Sequence, residues 1–377
     1  MRTVYPHYYH DFSCIADKCP DTCCAGWLIM IDDESMERYE QYVGSFSDRL
    51  EKGIDFNQGC FKQDEKKRCS MLNQDNLCDM ILNMGENHLC KTCKLYPRHV
   101  EEFEGLREWS LSLSCPVAAH IVLSCEEPVR FLEERNEDDD PLIDEFDDFD
   151  FLLFTELEDA RDVIYRIVQD RSQPVELRMQ CILSLGSALQ TCVEENRISD
   201  MQRIVSAYKE DWTSAFDPEE SWELTDPASR YDLLQETFSV FDKLELLRED
   251  WKEILNGERD MLAKGADHYA KLRRDFVKET ETKDFWPVFL ENYLMSFVYT
   301  YFCGAVYDDW IDSKVMLGVF SLLFTEEFIM NRYHETGKIT LEDCENIAYR
   351  YVREVEHSDL NLNALEEYLH AVLFSPA

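Results

Sequence analysis

The chain has 377 residues, enough for one large domain or two of ordinary size, so no part of it needs staples merely to stay folded. Its 38 Lys and Arg stand against 78 Asp and Glu, a formal net charge of -40 that repels phosphate backbones and anionic membrane surfaces and excludes nucleic acid as a partner. A cationic partner such as a lysine-bearing protein surface is attracted at long range, although a very soluble protein from a host with an acidic proteome carries the same charge.

The first residues, Met1-Arg2-Thr3-Val4-Tyr5-Pro6-His7, run into polar and cysteine-rich sequence without an apolar leader, so a cytoplasmic protein is expected. The longest apolar stretch, residues 315–324, is about half of what a bilayer needs and contains Gly318 and Ser321, which predicts a buried helix and no membrane insertion. Fifteen cysteines in such a chain point to metal binding or redox chemistry rather than disulfides. Ten of them fall before residue 116: Cys14, Cys19, Cys23, Cys24, Cys60, Cys69, Cys78, Cys90, Cys93 and Cys115. Cys181, Cys192 and Cys303 lie in helical patterns and are expected to be small core side chains.

In chain order, residues 1–125 read as an irregular cysteine-rich metal-binding module, with helices only at about 33–43 and 112–122. Residues 126–151 carry Glu137-Asp138-Asp139-Asp140 and Asp147-Asp148, like charges too dense to pack, and read as an acidic linker or surface loop. That run lacks the glycine and the ligand spacing of a calcium loop. Residues 152–377 read as an all-α bundle, making the chain mainly α. Leu157, Ala160, Val163, Ile164, Ile167 and Val168 recur at helical steps, as do Leu177, Cys181, Leu185, Leu189 and Val193 after Pro174. Further helices are predicted at about 198–212, 230–255, 259–279, 285–302, 309–333, 341–356 and 364–374. Gly257 is expected to end one, Gly337 to separate two, and Thr340 with Asp343 to open another as a capping box.

The chemistry lies in the thiol spacing. Cys14-x4-Cys19-x3-Cys23-Cys24, Cys69-x8-Cys78, Cys90-x2-Cys93 and Cys115 make three close groupings and a single residue, and thiolates prefer soft metals. Cys19, Cys23, Cys90 and Cys93 are expected at the centre of the site, with Cys14, Cys24, Cys69, Cys78 and Cys115 completing it or forming a second. Structural zinc favours paired Cys-x2-Cys knuckles, of which there is one, while an iron–sulfur cluster tolerates irregular spacing; iron is preferred and zinc remains the alternative.

These motifs carry a resemblance. Phe12-Ser13-Cys14-x4-Cys19-x3-Cys23-Cys24-Ala25-Gly26-Trp27, Cys69-Ser70-Met71-Leu72, Leu77-Cys78, Gly85-Glu86-x2-Leu89-Cys90-x2-Cys93-x2-Tyr96-Pro97-Arg98 and Ser112-Leu113-Ser114-Cys115-Pro116 resemble the flagellin lysine-N-methylase family, which is itself related to zinc- or iron-chelating cysteine-cluster proteins. Residues 290–294, Leu-Glu-Asn-Tyr-Leu, and the aromatic stretch 297–302 resemble a helix of that family. The resemblance implies methyl transfer from S-adenosylmethionine to lysines of flagellin or another lysine-bearing protein, with the cysteines holding a [4Fe-4S] cluster. The chain departs from radical enzymes of that cofactor in lacking Cys-x3-Cys-x2-Cys, and it has no glycine-rich nucleotide loop, so neither the cofactor site nor the catalytic residues can be assigned from sequence.

A neutral lysine amine attacks a sulfonium methyl without radical help, so the reaction needs proton removal and alignment. Glu291, Tyr293 and His88 are candidate acceptors, each with an ordinary structural reading beside it. Arg98 and Glu86 can balance charge at the thiolates, Gly85 and Pro97 shape the turns around Cys90 and Cys93, and Trp27 is expected to shield the metal. A non-enzymatic zinc- or iron-binding module joined to a helical interaction domain is the competing reading.

Overall fold

The structure, a computed structural model, describes residues 1–135, 149–217 and 223–373. The first strand, β1 (Arg2–Pro6), leads into the cysteine-rich segment. That segment carries α1 (Asp33–Glu40), α2 (Ser47–Gly53), the short strands β2 (Ile54–Asp55) and β3 (Cys60–Phe61), α3 (Asp79–Met84) and α4 (Lys91–Leu95). The hairpin β4 (Arg98–Phe103) and β5 (Leu106–Leu111), helix α5 (Pro116–Leu123) and strand β6 (Phe131–Arg135) follow. The remainder is helical: α6 (Phe151–Val168), α7 (Val175–Glu194), α8 (Met201–Ala215), α9 (Pro227–Thr237), α10 (Glu249–Leu262), α11 (Ala266–Thr280), α12 (Phe285–Tyr301), α13 (Ala305–Asp308), α14 (Ile311–Thr336), α15 (Leu341–Glu356) and α16 (Asp359–Leu373).

The bundle is organised around α14. Every residue from Ile311 to Met330 is buried, so this helix has no solvent face over most of its length, and α7, α10, α11, α12, α15 and α16 pack around it. Among the described residues, no helix is long and apolar enough to cross a membrane. Gly337 ends α14 in the left-handed conformation, and Thr340 and Asp343 form the expected capping box at the start of α15. Cys181, Cys192 and Cys303 are buried in the core as expected.

Three expectations are corrected. The helix predicted over 230–255 is two helices, α9 and α10, separated by a 3-10 turn at Phe238–Asp242 and an irregular strand of chain up to Arg248. Gly257 lies inside α10 instead of ending a helix; a Cβ there would stand 2.7 Å from the Asn331 amide of α14, so the glycine serves close helix approach. The first 135 residues are also less irregular than expected. They contain a four-stranded sheet of order β4-β5-β1-β6, in which β1 runs parallel to β5 and antiparallel to β6.

β6 falls within the segment read as linker, and the densest part of the acidic run, 136–148, lies outside the described residues. Two cores result. The larger joins the sheet and α5 to the bundle, and Glu108 on β5 accepts both Nη groups of Arg161 on α6, at 2.6 and 2.5 Å, with both side chains buried. The smaller lies within the cysteine-rich segment.

A buried charged network spans α9, α10, α11 and α14. Arg230 donates to Glu326 and, at 2.7 Å, to Glu327; Arg273 donates to Glu326, and Tyr269 to Glu327. Glu258 is fully buried beside them with neither carboxyl oxygen hydrogen-bonded among the described residues. Burial and then repulsion by Glu327 push its pKa well above the usual carboxylate range, against the pull of Arg230. The folded chain therefore keeps this proton while the unfolded chain loses it at the ordinary carboxylate value, so stability falls as pH rises above about 4.5. Glu258→Gln is expected to raise stability at pH 7 by about 1 kcal/mol or more and to change nothing below about pH 4. Urea unfolding at the two pH values measures this, and an equal gain at both would contradict it.

Candidate functional site

The cysteine-rich segment is built by short backbone ladders rather than long elements. Ala25 bridges Arg68, Met30 bridges Cys60, Gln63 bridges Cys69 and Leu72 bridges Cys78, while the Cys69 N–H donates to the Cys24 carbonyl at 2.8 Å. Asp32 caps α1 through the Ser35 N–H, and its second oxygen accepts the Lys91 N–H at 2.7 Å, which ties the Cys90 turn to the start of α1. Thr92 adds a bond to the Met30 carbonyl at 3.0 Å. Ile29, Ile31, Tyr39, Phe46, Leu50 and Phe61 fill the small core.

The thiols fall into two neighbourhoods. Cys69 and Cys90 belong to the small core, with Cys24, Cys78 and Cys93 packed against it. Cys24 lies in electrostatic reach of Cys69, Cys78 and Cys93. Cys115 caps α5 in the larger core, in reach of Cys19 and Cys23, and Cys14 is exposed near Cys19.

The residues expected at one centre are thus divided, Cys90 and Cys93 in the first neighbourhood and Cys19 and Cys23 in the second. Two thiol pairs are in direct contact, Cys23 with Cys24 and Cys90 with Cys93. The bond from Cys23 lowers the Cys24 pKa to about 7, and the bond from Cys93 lowers that of Cys90, so these two are the readiest thiolates; burial pushes Cys69 up to about 12. Among the described residues no three His, Cys, Asp or Glu side chains converge closely enough to share one metal ion. In donor type the set suits a soft metal, and a cluster takes its thiolates on separate irons instead of at one point.

Behind the second neighbourhood stands a polar seam to the bundle. Arg353 of α15 is fully buried, donates from Nε and Nη2 to the Ser114 carbonyl at 3.1 and 2.8 Å, and pairs with Asp21 at 2.8 Å. Arg248 holds the other Asp21 oxygen, also at 2.8 Å. Trp27 donates to the Cys23 carbonyl at 2.7 Å and lies 4.4 Å from the His357 ring, which faces Tyr96 edge-on. Glu356 accepts from Ser112 and from Tyr301. His357 sits 3.0 Å from the Ser114 hydroxyl through Nε2, while its buried Nδ1 has no hydrogen-bond partner among the described residues. Burial first, then Arg353 and Arg248, hold it well below the usual histidine range, so it is neutral.

Arg353, Glu356 and His357 escaped the sequence reading because they end an amphipathic helix and look like its solvated face. The candidates that were named are elsewhere. Glu291 is wholly buried and bound by Arg171 at 2.8 and 2.9 Å, which makes it half of an ion pair rather than an acceptor. Tyr293 is buried against Thr325 at 2.9 Å. His88 gives its carbonyl to Tyr39 at 2.6 Å, and Arg98 lies over the rings of Tyr9 and Phe12. Glu86 opens a 3-10 turn after Gly85, whose φ is 88°, and Pro97 precedes β4.

Among the described residues, the helical part has cavities of which two are well formed. One of about 390 Å³ is lined by Val163, Arg166, Ile167, Gln169, Asp170, Tyr208 and Trp212. The other, about 210 Å³, lies between the 241–259 segment and the end of α15.

Comparison with known proteins agrees with the helical part. The family described as FliB lysine N-methylase C-terminal domain matches residues 161–377. The chain is 26% identical over 144 residues to the flagellar biosynthetic protein FliU of Salmonella muenchen, an alignment covering 36% of this chain and 85% of that protein. It is 26% identical over 132 residues to a lysine-N-methylase of Salmonella choleraesuis (strain SC-B67) and to one of Salmonella typhimurium (strain LT2), in each case over 33% of both chains. The alignment thus spans about a third of the length of the two lysine-N-methylases. No solved structure gives a significant match.

The seam makes a quantitative demand. Arg353→Met leaves the Ser114 carbonyl without its donors and the buried Asp21 carboxylate with Arg248 alone, and is expected to cost about 3–5 kcal/mol, whereas Arg332→Met, at an exposed pair, should cost less than about 1 kcal/mol. Chemical denaturation of the two variants compares them, and equal losses would remove Arg353 as the anchor of the seam.

Proposed function

The chain belongs to the FliB lysine N-methylase family, and from that premise we propose that it transfers methyl groups from S-adenosylmethionine to lysine side chains of flagellin, with a [4Fe-4S] cluster held by its cysteines. The observation that carries the reading is the family match over residues 161–377, joined to a cysteine arrangement that resembles the same family in the first 115 residues. The flagellar name of one relative and the lysine-N-methylase name of two others support the substrate.

Cys24, Cys69, Cys78, Cys90 and Cys93 are the residues that would hold the cluster, since they surround the small core and include the Cys24 and Cys90 thiols with lowered pKa. When bound, an iron centre supplies Lewis-acid or electron-transfer chemistry and ties the loops together. The chain itself has three tasks. It draws in cationic segments, which a net charge of -40 does at long range. It excludes water, a task for which Trp27, bonded to the Cys23 carbonyl and partly buried, is placed. It removes a proton from the acceptor amine, whose ordinary pKa of about 10.4 leaves it a poor nucleophile at neutral pH.

Mass spectrometry of the host flagellin with and without this protein tests the reading: methylated lysines are expected only in its presence, and identical lysine masses would sink it. Anaerobic purification with iron, sulfide and zinc analysis tests the cluster, and stoichiometric zinc without sulfide would favour the binding-module reading. Cys93→Ser is expected to release metal and unfold the small core, because serine keeps the shape but binds soft metal poorly. Turnover at subsaturating flagellin should fall as salt rises from 50 mM through physiological strength, where charges are screened beyond roughly 8–10 Å; a salt-independent rate would remove charge from substrate capture.

A further inference from the structure

Cys14, Cys19, Cys23 and Cys115 take no part in the small core and are not among the five thiols assigned to the cluster. They come from two stretches far apart in sequence, which the fold staples together by routes that do not involve sulfur. Arg353 pairs with Asp21, between Cys19 and Cys23, at 2.8 Å, and donates to the Ser114 carbonyl, next to Cys115, at 3.1 and 2.8 Å. Trp27, bonded to the Cys23 carbonyl, lies 4.4 Å from the His357 ring, whose Nε2 is 3.0 Å from the Ser114 hydroxyl. Tyr96 reaches the same hydroxyl at 3.2 Å and has its ring 6.0 Å from that of Trp27. A single 3-10 turn, Ala16–Lys18, separates Cys14 from Cys19. Cys19 is in electrostatic reach of Cys14, and Cys115 of both Cys19 and Cys23.

The surroundings of these four thiols favour negative charge on them. The Arg353 guanidinium cannot lose its proton, is fully buried, and lies in electrostatic reach of Cys19, Cys23 and Cys115. Its Nη1, although at ion-pair distance from Asp21, has no hydrogen bond among the described residues, and Asp21 divides its carboxylate between Arg353 and Arg248. A buried cation so placed is stabilised by thiolates and not by neutral thiols. At Cys115, the Val117 and Ala118 N–H groups at the start of α5 face the sulfur, as donors do around a ligating thiolate. Among the described residues no three donors meet where a single ion could bind them all, so the spread of the four suits a cluster, whose thiolates sit on separate irons.

We propose that Cys14, Cys19, Cys23 and Cys115 hold a second iron–sulfur cluster, separate from the one held around the small core. Each ligand gives its thiol proton to solvent as it binds iron, and no change of oxidation state is involved. The Cys23 and Cys24 side chains are in contact, so the two clusters hang from consecutive residues of one loop. They differ in what they fasten. The first joins loops of the cysteine-rich segment to one another, whereas the second draws its ligands from the Cys14–Cys23 stretch and from the start of α5, a helix that packs on α12 and α15. Loading the second cluster therefore fixes the cysteine-rich segment onto the bundle, at the place where Arg353 already holds it.

The inference rests on the reading of the cysteines as ligands of iron, and its test separates it from the first cluster and from the methyl acceptor. Iron, acid-labile sulfide and zinc are counted per chain in the full protein purified anaerobically, with electron paramagnetic resonance of the reduced form. About eight irons and eight sulfides are expected in the wild type, two clusters of four. Cys14→Ser and Cys115→Ser should each leave about four of each, with one resonance signal lost and the other kept, and Cys78→Ser should leave the complementary signal. Cys14 is exposed, so its substitution disturbs no packing and keeps the test decisive if the Cys115 variant fails to fold. About four irons in the wild type, unchanged in Cys14→Ser and Cys115→Ser and lost in Cys78→Ser, would overturn the second cluster and leave the first standing. About four irons lost in all three variants would mean one cluster spanning both neighbourhoods and would overturn it as well. Zinc without sulfide at both sets would overturn iron throughout. Halved iron in the Cys14 and Cys115 variants, in a protein that never methylates flagellin, would support the second cluster and remove flagellin as the substrate.

Discussion

Arg353 carries a guanidinium that cannot lose its proton, in a place where water does not reach. Two chain segments far from it in sequence must therefore be present before α15 can pack: the loop that offers Asp21 and the turn that offers the Ser114 carbonyl. Those same segments position Cys19, Cys23 and Cys115. Arg248 grips the other oxygen of Asp21 and so brings the irregular chain before α10 into the same contract. One buried charge thus couples the thiols, the polar seam and the chain that leads into α10, and each of them inherits its geometry from the others.

The helical half was largely legible because its signals are local. The three- and four-residue recurrence of α6 and α7, the capping box of α15 and the glycine that ends α14 are all complete within a few turns of chain. The break between α9 and α10 was not, because no glycine or proline marks it; Asn361 and Glu354 hold that stretch from more than 100 residues away. The sheet was missed for a related reason, since β1 pairs with β5 and β6 across the whole cysteine segment. Gly105, at the turn between β4 and β5 with φ of 79°, was a hairpin signal that thiol spacing overshadowed.

At the site, the gathering of the cysteines was legible and their distribution over two neighbourhoods was not. Spacing along a chain says which thiols can share a turn, but not that Cys23 and Cys24, in contact with each other, reach different partners, Cys115 for the first and Cys69, Cys78 and Cys93 for the second. Arg353 and His357 were invisible for a different reason: a charged residue on an amphipathic helix reads as solvated until a second layer covers it. Here the second layer is the cysteine module and the chain from Leu244 to Arg248. The excess of acid in the composition is likewise uneven, because Glu108, Glu291, Glu326 and Glu327 are each buried against arginine and do not contribute to the outer field as free charges.

The position of β1 has a temporal side. It lies between β5 and β6 in the finished sheet, so the strand that leaves the ribosome first has neither neighbour until residues 106–111 and then 131–135 have followed. At ordinary elongation rates of about 5–20 residues per second, that interval lasts on the order of ten seconds. Throughout it the segment from His7 to Pro97 is a loop with one anchored end missing. Closure of the sheet is then the event that ties down both ends of the cysteine-rich segment, and its timing is set by translation.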